Sequence, residues 1–220
     1  SDFLAAHPGS KAAVVSTEIC TAAMYSGDSP DLVISNAIFA DGSAAAVLGD
    51  VPGPGPRIRM FRSLLVPEWR EAICFKTEGG HLRNVLTKEV PAHAALGLKD
   101  VVEVLLKDAG RKPSDIRHWL FHAGGKTVLD AIQAGLALDP ASLAASRGVL
   151  RDYGNMSSPT VLFVLKEEQE RKIEELEKKL AGKSREAEQP GPSGLALAKP
   201  GKDGAPMVLV PAGEFLIGRT

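Results

Sequence analysis

The sequence is short of cysteine, of long apolar runs and of net charge, and each shortage excludes a class of protein. Its only cysteines are Cys20 and Cys74, which form no CxxC pair. This argues against a disulfide framework or a thiolate metal site and favours a reducing cytoplasm. No apolar run approaches the roughly 20 residues that span a bilayer. The net charge of −1 gives no bulk attraction for nucleic acid or an anionic membrane.

The remaining composition is that of a globular protein. Of the 220 residues, 44% are hydrophobic and 24% charged, which suits a chain with one substantial core. The N-terminus lacks the basic start and apolar stretch of a signal peptide. It resembles the last turns of a helix that stop at Gly9, so we expect the chain to have been cut from a longer protein.

Periodicity and turn residues predict an α/β fold over residues 1–165. Short apolar or alternating runs predict strands, and spacings of three and four predict helices. Three prolines and two glycines predict a loop at 51–56. The predicted strands cover 12–16, 43–48, 57–64 and 117–121, and the predicted helices cover 34–39, the region around 101–106, 127–136 and a segment that starts at Asp139.

Residues 161–165 have the β-branched content of a strand, but their neighbours favour a helix. Ser158 is suited to cap it, Pro159 suits its first turn, and we expect it to end near Gly182. Glutamates four residues before basic residues would support it, and its short apolar stripe is consistent with a solvated face or a coiled-coil contact. These pairs are Glu167–Arg171, Glu168–Lys172, Glu174–Lys178 and Glu175–Lys179.

Composition changes sharply beyond residue 165. Residues 166–187 are expected to form a mixed-charge helix, and residues 188–205, rich in Pro, Gly, Ser and Lys, a flexible linker. Residues 206–220 have the pattern of a new strand–turn–strand unit.

His122 and Asn155 are the principal candidate site residues. Each lies in a glycine-bearing turn, His122 in His122-Ala-Gly-Gly and Asn155 in Tyr153-Gly-Asn-Met-Ser-Ser. A neutral imidazole and a carboxamide both donate hydrogen bonds without a full charge, as stabilisation of an enolate or oxyanion requires. A histidine or asparagine alone is more often structural. The segment from Gly124 to Thr127 also resembles the end of a phosphate-binding loop, but Leu120 replaces the first glycine of that motif.

Together, these segments resemble the second half of the type III polyketide synthases, the chalcone/stilbene synthase family. The similarity is carried by 119–130, by 149–158 with its Tyr-Gly-Asn-Met-Ser-Ser run, and by upstream segments at 14–20 and 37–46. It covers roughly residues 1–170. The family fold is thiolase-like, layered α-β-α-β-α with a mixed sheet, and its members are usually homodimers.

The resemblance implies an acyltransferase that condenses an acyl-CoA starter with malonyl-CoA and needs no cofactor beyond these CoA thioesters. His122 and Asn155 would assist decarboxylation and stabilise the enolate. Phe39 falls on a gatekeeping phenylalanine, and Cys20 on a position that lines the cavity. Asn84 falls where many members have a second gatekeeping phenylalanine.

The sequence departs from the family in three respects. Neither Cys20 nor Cys74 matches the nucleophilic cysteine, which would lie upstream of Ser1, and from the residues alone both cysteines are expected to be small buried groups. The closing glycine-rich loop of the family is also absent, and residues 206–220 resemble the start of a formylglycine-generating-enzyme domain. We therefore expect no condensation by this chain alone. The alternative function is that of a non-catalytic interaction module derived from the same fold.

Overall fold

The computed structural model describes residues 2–24, 26–50, 55–187 and 214–219, with side chains described as far as residue 180. The helices are α1 (Asp2–Ala6), α2 (Pro30–Ile38), α3 (Val90–Asp108), α4 (Lys126–Gly135), α5 (Ala144–Tyr153) and α6 (Thr160–Ala187). The strands are β1 (Lys11–Glu18), β2 (Gly42–Gly49), β3 (Arg57–Ser63), β4 (Ile73–Glu78), β5 (His81–Leu86) and β6 (Glu214–Arg219). The prediction of an α/β fold is therefore confirmed.

The described strands form three separate pairs instead of one mixed sheet. β1 and β2 are antiparallel, with Lys11 opposite Gly49 and Glu18 opposite Gly42. β4 and β5 form a hairpin whose turn residues, Gly79 and Gly80, both have positive φ angles of 58° and 83°, as a tight two-residue hairpin turn requires. β3 and β6 are parallel.

The apolar core lies among the helices that follow the strands. One cluster joins α3, α4 and the chain that leads into α5, and a second joins α5, α6 and the two turns between which the candidate site lies. The buried members of the first cluster are Leu98, Val102, Leu106, Phe121, Leu129, Ile132 and Leu143. Those of the second are Ala123, Ala145, Val149, Met156 and Val164.

The helix prediction for residues 161–165 is confirmed, but three details of it are wrong. α6 does not end near Gly182 but continues to Ala187, the last residue of the predicted mixed-charge helix. Ser158 does not cap it, because its hydroxyl donates to Glu18 Oε1 at 2.7 Å. Among the predicted ion pairs, Glu174–Lys178 and Glu175–Lys179 form, whereas Glu168 pairs with His118 instead of Lys172.

The predicted strand at 117–121 is wrong. Residues 116–125 belong to none of the strands of the described chain. Their apolar content arises from burial between helices, and their backbone groups bond to side chains, as described below. Asp139 does begin the next element, since its Oδ1 accepts a hydrogen bond from the Ala141 N–H at 2.8 Å, but the first turn is a 3₁₀ turn (Pro140–Leu143) before α5.

Several predictions lie wholly or partly outside the described residues. These are residues 51–54 of the predicted loop, the linker at 188–205, and residues 206–213 of the C-terminal segment. Only the backbone of β6 is described in that last segment.

Candidate active site

The Asn155 side chain is fixed at both ends by backbone groups. Its Nδ2 donates to the Gly124 carbonyl at 3.0 Å, and its Oδ1 accepts from the Ser157 N–H at 2.9 Å. Because one partner is an acceptor and the other a donor, the orientation of the amide is determined. The carboxamide has a second N–H, for which no described residue supplies an acceptor. Asn155 is only 5% exposed, so that N–H is a preorganised donor.

Backbone strain accompanies this arrangement. Ser157, which holds Oδ1, has a φ of 58°, and Gly154, which precedes the asparagine, has a φ of 74°. The left-handed region is unfavourable for residues other than glycine. The turn therefore adopts an unfavourable conformation that brings the Asn155 amide to the Gly124 carbonyl. Backbone strain of this kind concentrates at functional sites.

Gly124 is the residue that both candidate side chains approach. Its carbonyl accepts from Asn155, and a β-carbon placed on it would lie 3.2 Å from His122 Cδ2 and 3.4 Å from Nε2. We expected a tight turn at these glycines, and the Gly124 N–H does donate to the His122 carbonyl at 2.9 Å, which closes such a turn. Neither glycine has a φ in the left-handed region, but a side chain at position 124 would crowd the imidazole. Both candidate side chains therefore lie next to Gly124.

Desolvation favours the neutral form of His122. The residue keeps an exposed surface in this chain, but enough protein surrounds its imidazole that burial lowers the pKa of His122 below its ordinary value. Desolvation disfavours the imidazolium. The ring is therefore a neutral donor at neutral pH, as the sequence led us to expect.

Three polar contacts, spaced three residues apart, hold the segment that carries His122. His118 Nδ1 lies 2.6 Å from Glu168 Oε1 on α6. The backbone of Phe121 bonds to the Ser146 hydroxyl on α5, and Gly124 bonds to Asn155. The segment is thus held by side chains of α6, of α5 and of the turn after α5, and not by the backbone ladder of a sheet.

The Asn155 turn also joins the N-terminal strands to the helical region. The Asn155 N–H donates to the Ile38 carbonyl at 2.8 Å, and the Ala40 N–H donates to the Asn155 carbonyl at 2.9 Å, so Phe39 and Asn155 form a parallel β-bridge. Next to it, a β-carbon on Gly42 would lie within 2.8 Å of Met156 Cβ. Phe39 is therefore brought directly beside Asn155, with its side chain half-buried.

Cys20 lies near the same bridge. Its thiol is half-buried, and burial, with the nearby Glu18 and Asp41 carboxylates, raises the pKa of Cys20. A raised pKa leaves less thiolate at neutral pH, so Cys20 is a poor nucleophile. Asp41 accepts hydrogen bonds from the Thr21 N–H at 2.8 Å and from its hydroxyl at 2.7 Å, which fixes the start of the turn that carries Cys20.

Asn84 lies on β5, opposite Phe75 of β4. It is 9% exposed, and its Oδ1 is buried without a hydrogen-bond partner among the described residues. β5 packs against α2 and against the 3₁₀ turn (Cys20–Ala23), so Asn84 lies on the same side of the molecule as Phe39 and Cys20. None of the hydrogen bonds found among the described residues joins it to His122 or Asn155.

Ser146 and Glu168 are the residues of this arrangement that the sequence analysis missed. Ser146 is fully buried and lies between Leu143 and Val149 at spacings of three. A polar residue on an apolar helical face is the signal that would have drawn attention to it. No comparable signal existed for Glu168, because the sequence offers it several basic partners.

Comparison with known families decides what this arrangement belongs to. Residues 58–196 match the sequence model described as chalcone and stilbene synthases, C-terminal domain. The chain belongs to that family. Residues 1–60 match a second model, described as FAE1/type III polyketide synthase-like protein.

The chalcone and stilbene synthase relatives are similar over most of this chain. It is 36% identical over 167 residues to a 3,5-dihydroxyphenylacetyl-CoA synthase of Amycolatopsis orientalis. The alignment covers 74% of this chain and 45% of that enzyme. The synthase of the same name from Streptomyces toyocaensis is also 36% identical, over 168 residues, covering 72% of this chain and 43% of the relative. The chain therefore spans about half the length of the curated relatives it matches.

Solved structures agree with the fold. PKS-I from the brown alga Ectocarpus siliculosus has a TM-score of 0.68 at 28% identity, covering 82% of this chain and 48% of that one. The 1,3,6,8-tetrahydroxynaphthalene synthase from Streptomyces coelicolor has a TM-score of 0.68 at 31% identity, covering 76% of this chain and 48% of that one. The predicted thiolase-like fold of the family is confirmed. None of the described helices is long and apolar enough to cross a membrane.

Proposed function

We propose that this chain carries the enolate-stabilising donor pair of a type III polyketide synthase. The observation that supports this most directly is Gly124, which accepts from the Asn155 amide and is approached by the His122 ring. Two uncharged donors that lie next to the same residue suit an oxygen on which negative charge develops.

The chemistry would begin with malonyl-CoA. The bond between its α-carbon and carboxylate carbon breaks, carbon dioxide leaves, and the electron pair forms an enolate whose oxygen accepts hydrogen bonds from His122 and Asn155. In the absence of an acceptor the enolate carbon takes a proton from water and acetyl-CoA results. In the full reaction it attacks a cysteine-bound acyl thioester and displaces the thiolate.

We assign that thioester to a cysteine other than Cys20 or Cys74. Its environment makes Cys20 a poor nucleophile, and its half-buried position beside Asp41 suits a residue that lines a cavity. We further propose Phe39, next to Asn155, as a residue that limits the acyl cavity, and Asn84 as a polar substitute for an apolar gate. The substrates would be acyl-CoA and malonyl-CoA, without another cofactor, in a cytoplasmic homodimer.

A second candidate is a non-catalytic interaction module. It is favoured by β1 and β2, on which Val15 is 67% and Val47 is 70% exposed. An exposed apolar strand pair suits contact with another polypeptide. The two candidates differ in whether the donor pair acts on malonyl-CoA.

The deciding experiment incubates the purified chain with labelled malonyl-CoA and a panel of acyl-CoAs, with mass spectrometry of products and protein. We expect acetyl-CoA without polyketide. His122→Ala and Asn155→Ala should each lower its formation about a hundredfold, as loss of one such donor does. His7→Ala is the control, because among the described residues the His7 ring hydrogen-bonds only to the Phe3 carbonyl.

The other outcomes are equally informative. A folded chain that forms no acetyl-CoA would favour the interaction module. Acylation of Cys20 or Cys74 followed by polyketide release would overturn our assignment of the thioester.

A further inference from the structure

The backbone of Phe121, the residue before His122, has a single hydroxyl as its partner. The Phe121 N–H donates to Ser146 Oγ at 3.2 Å, and the same Oγ donates to the Phe121 carbonyl at 2.9 Å. Ser146 is fully buried and Phe121 is 6% exposed. A serine hydroxyl has one proton to give and lone pairs to accept, so Ser146 replaces both hydrogen bonds that a strand ladder would supply.

The contact between Ser146 and Phe121 matters for function because it lies directly before His122. Ser146 holds the chain one residue before His122, and Asn155 holds it two residues after, at Gly124. Ser146 lies on α5, and Asn155 lies in the turn that follows α5. The segment from Phe121 to Gly124, which carries the imidazole, is therefore hydrogen-bonded at both ends to α5 and the turn that follows it. That turn also contains Asn155.

We propose that Ser146 is a positioning residue that sets the place of His122 relative to Asn155. This inference rests on the proposed function for its catalytic consequence, but not for its structural one. Without the hydroxyl, the N–H and carbonyl of Phe121 would be buried without partners, which costs more than the bond itself contributes. The segment would shift to find water or another partner and would carry the imidazole with it.

Other contacts keep α5 in place when the hydroxyl is removed. Arg147, the next residue, bonds to Gln133 at 2.9 Å and to Asp130 at 2.7 Å, both on α4. Val149 and Ala145 are buried on the same helix. Alanine is also a better helix former than serine. The effect of Ser146→Ala is therefore expected in the His122 segment and not in the docking of α5.

The chain offers a matched control. Thr160 is as fully buried as Ser146, and its Oγ1 has no hydrogen-bond partner among the described residues. Thr160→Val removes a buried hydroxyl with little change of shape and leaves Phe121 untouched. Ser146→Thr retains the hydroxyl and serves as the rescue variant.

The test uses the 220-residue chain and three measurements at a temperature where every variant is folded. These are amide exchange at Phe121, the NMR titration of the His122 imidazole, and kcat and KM for acetyl-CoA formation from malonyl-CoA. Assignment of the His122 resonance comes from its loss in His122→Gln.

For Ser146→Ala we expect exchange at Phe121 to quicken about tenfold to a hundredfold and the pKa of His122 to move toward 6.5. We expect kcat to fall at least about tenfold with KM nearly unchanged, because a small displacement of a reacting group is costly. Thr160→Val should leave all three measurements unchanged, and Ser146→Thr should restore them.

Faster exchange at Phe121 with an unmoved His122 titration would overturn the proposal, because the bond would then be lost without consequence for the ring. If the unaltered chain forms no acetyl-CoA, the proposed function fails, whereas the exchange and titration measurements still decide the role of Ser146.

Discussion

Residues 90–165 and residues 11–86 differ in how they bury apolar surface. Both clusters of buried apolar side chains draw their members from between Leu98 and Val164. Between residues 11 and 86, Leu32 is the one buried hydrophobic residue of the described chain. The helical region is therefore held by side-chain packing, whereas the strand region is held mainly by its backbone ladders. His122 and Asn155 belong to the packed region, which explains how their positions are maintained.

The two regions meet at the bridge between Phe39 and Asn155. Backbone bonds to Ile38 and Ala40 join them there, and Gly42 admits the side chain of Met156. The site is thus supported on one side by the apolar clusters and on the other by the backbone bridge between Phe39 and Asn155. Substitutions in these two supports should lower the free energy of unfolding by different amounts.

The largest expected effect comes from the packed region. Leu129 is fully buried, and Leu129→Ala should lower the free energy of unfolding by about 2–5 kcal/mol, through lost transfer free energy and the cavity left behind. Val15→Ala, on the exposed strand pair, should change it by no more than about 0.5 kcal/mol. Chemical denaturation of both variants measures the difference. Equal losses would contradict the contrast between the regions.

The next effect lies at the bridge. Gly154→Ala should lower the free energy of unfolding by more than the about 1–2 kcal/mol that a left-handed backbone costs a non-glycine residue. The added β-carbon would lie 3.0 Å from the Ile38 carbonyl oxygen and 3.1 Å from Ala40 Cβ. Gly110→Ala is the control, because Gly110 has a φ of 61° and open space around it. If denaturation gives the same loss for both, crowding at the bridge contributes nothing.

Much of the fold could be predicted from local patterns. The strands at 12–16 and 43–48 and the helix at 161–165 were predicted because periodicity and turn residues act over a few positions. The predicted strand at 117–121 was wrong, because an apolar run looks the same in the sequence whether a ladder or a serine hydroxyl satisfies its backbone. That distinction depends on Ser146, which lies more than twenty positions away.

The sequence proposes the residues of the candidate site but not the contacts that hold them in place. His122 and Asn155 have recognisable neighbours in the sequence, and burial around His122 gives it the neutral state expected of it. The close approach of His122 to Gly124 and the pairing of His118 with Glu168 arise only when helices pack. Charges on α6 have several partners at suitable spacing, so the sequence alone does not select among them.

The pH dependence of stability should report how closely the packed region surrounds His122. Its pKa is lower in the folded chain than the ordinary 6.5. Between these values the unfolded chain binds a proton that the folded chain does not, so the contribution of His122 to stability is lost as pH falls below 6.5. Denaturation between about pH 8 and about pH 5 should show a steeper decrease for the unaltered chain than for His122→Gln. Parallel curves would mean that the ring is not desolvated.

The smallest expected effect on the free energy of unfolding is the difference between substitutions in the two halves of α6. Glu168 is half-buried against His118, and Glu168→Gln should lower the free energy of unfolding by about 0.5–1.5 kcal/mol, the net value of one hydrogen bond. Glu174→Gln, on the exposed part of the helix, removes only a pair with Lys178 and should cost a few tenths of a kcal/mol, and less at high salt. Since both substitutions remove one charge from one helix, their difference isolates the contact with the His122 segment. Indistinguishable values from denaturation would mean that His118 does not help to hold that segment, and the support of the imidazole would then rest on Ser146 and Asn155 alone.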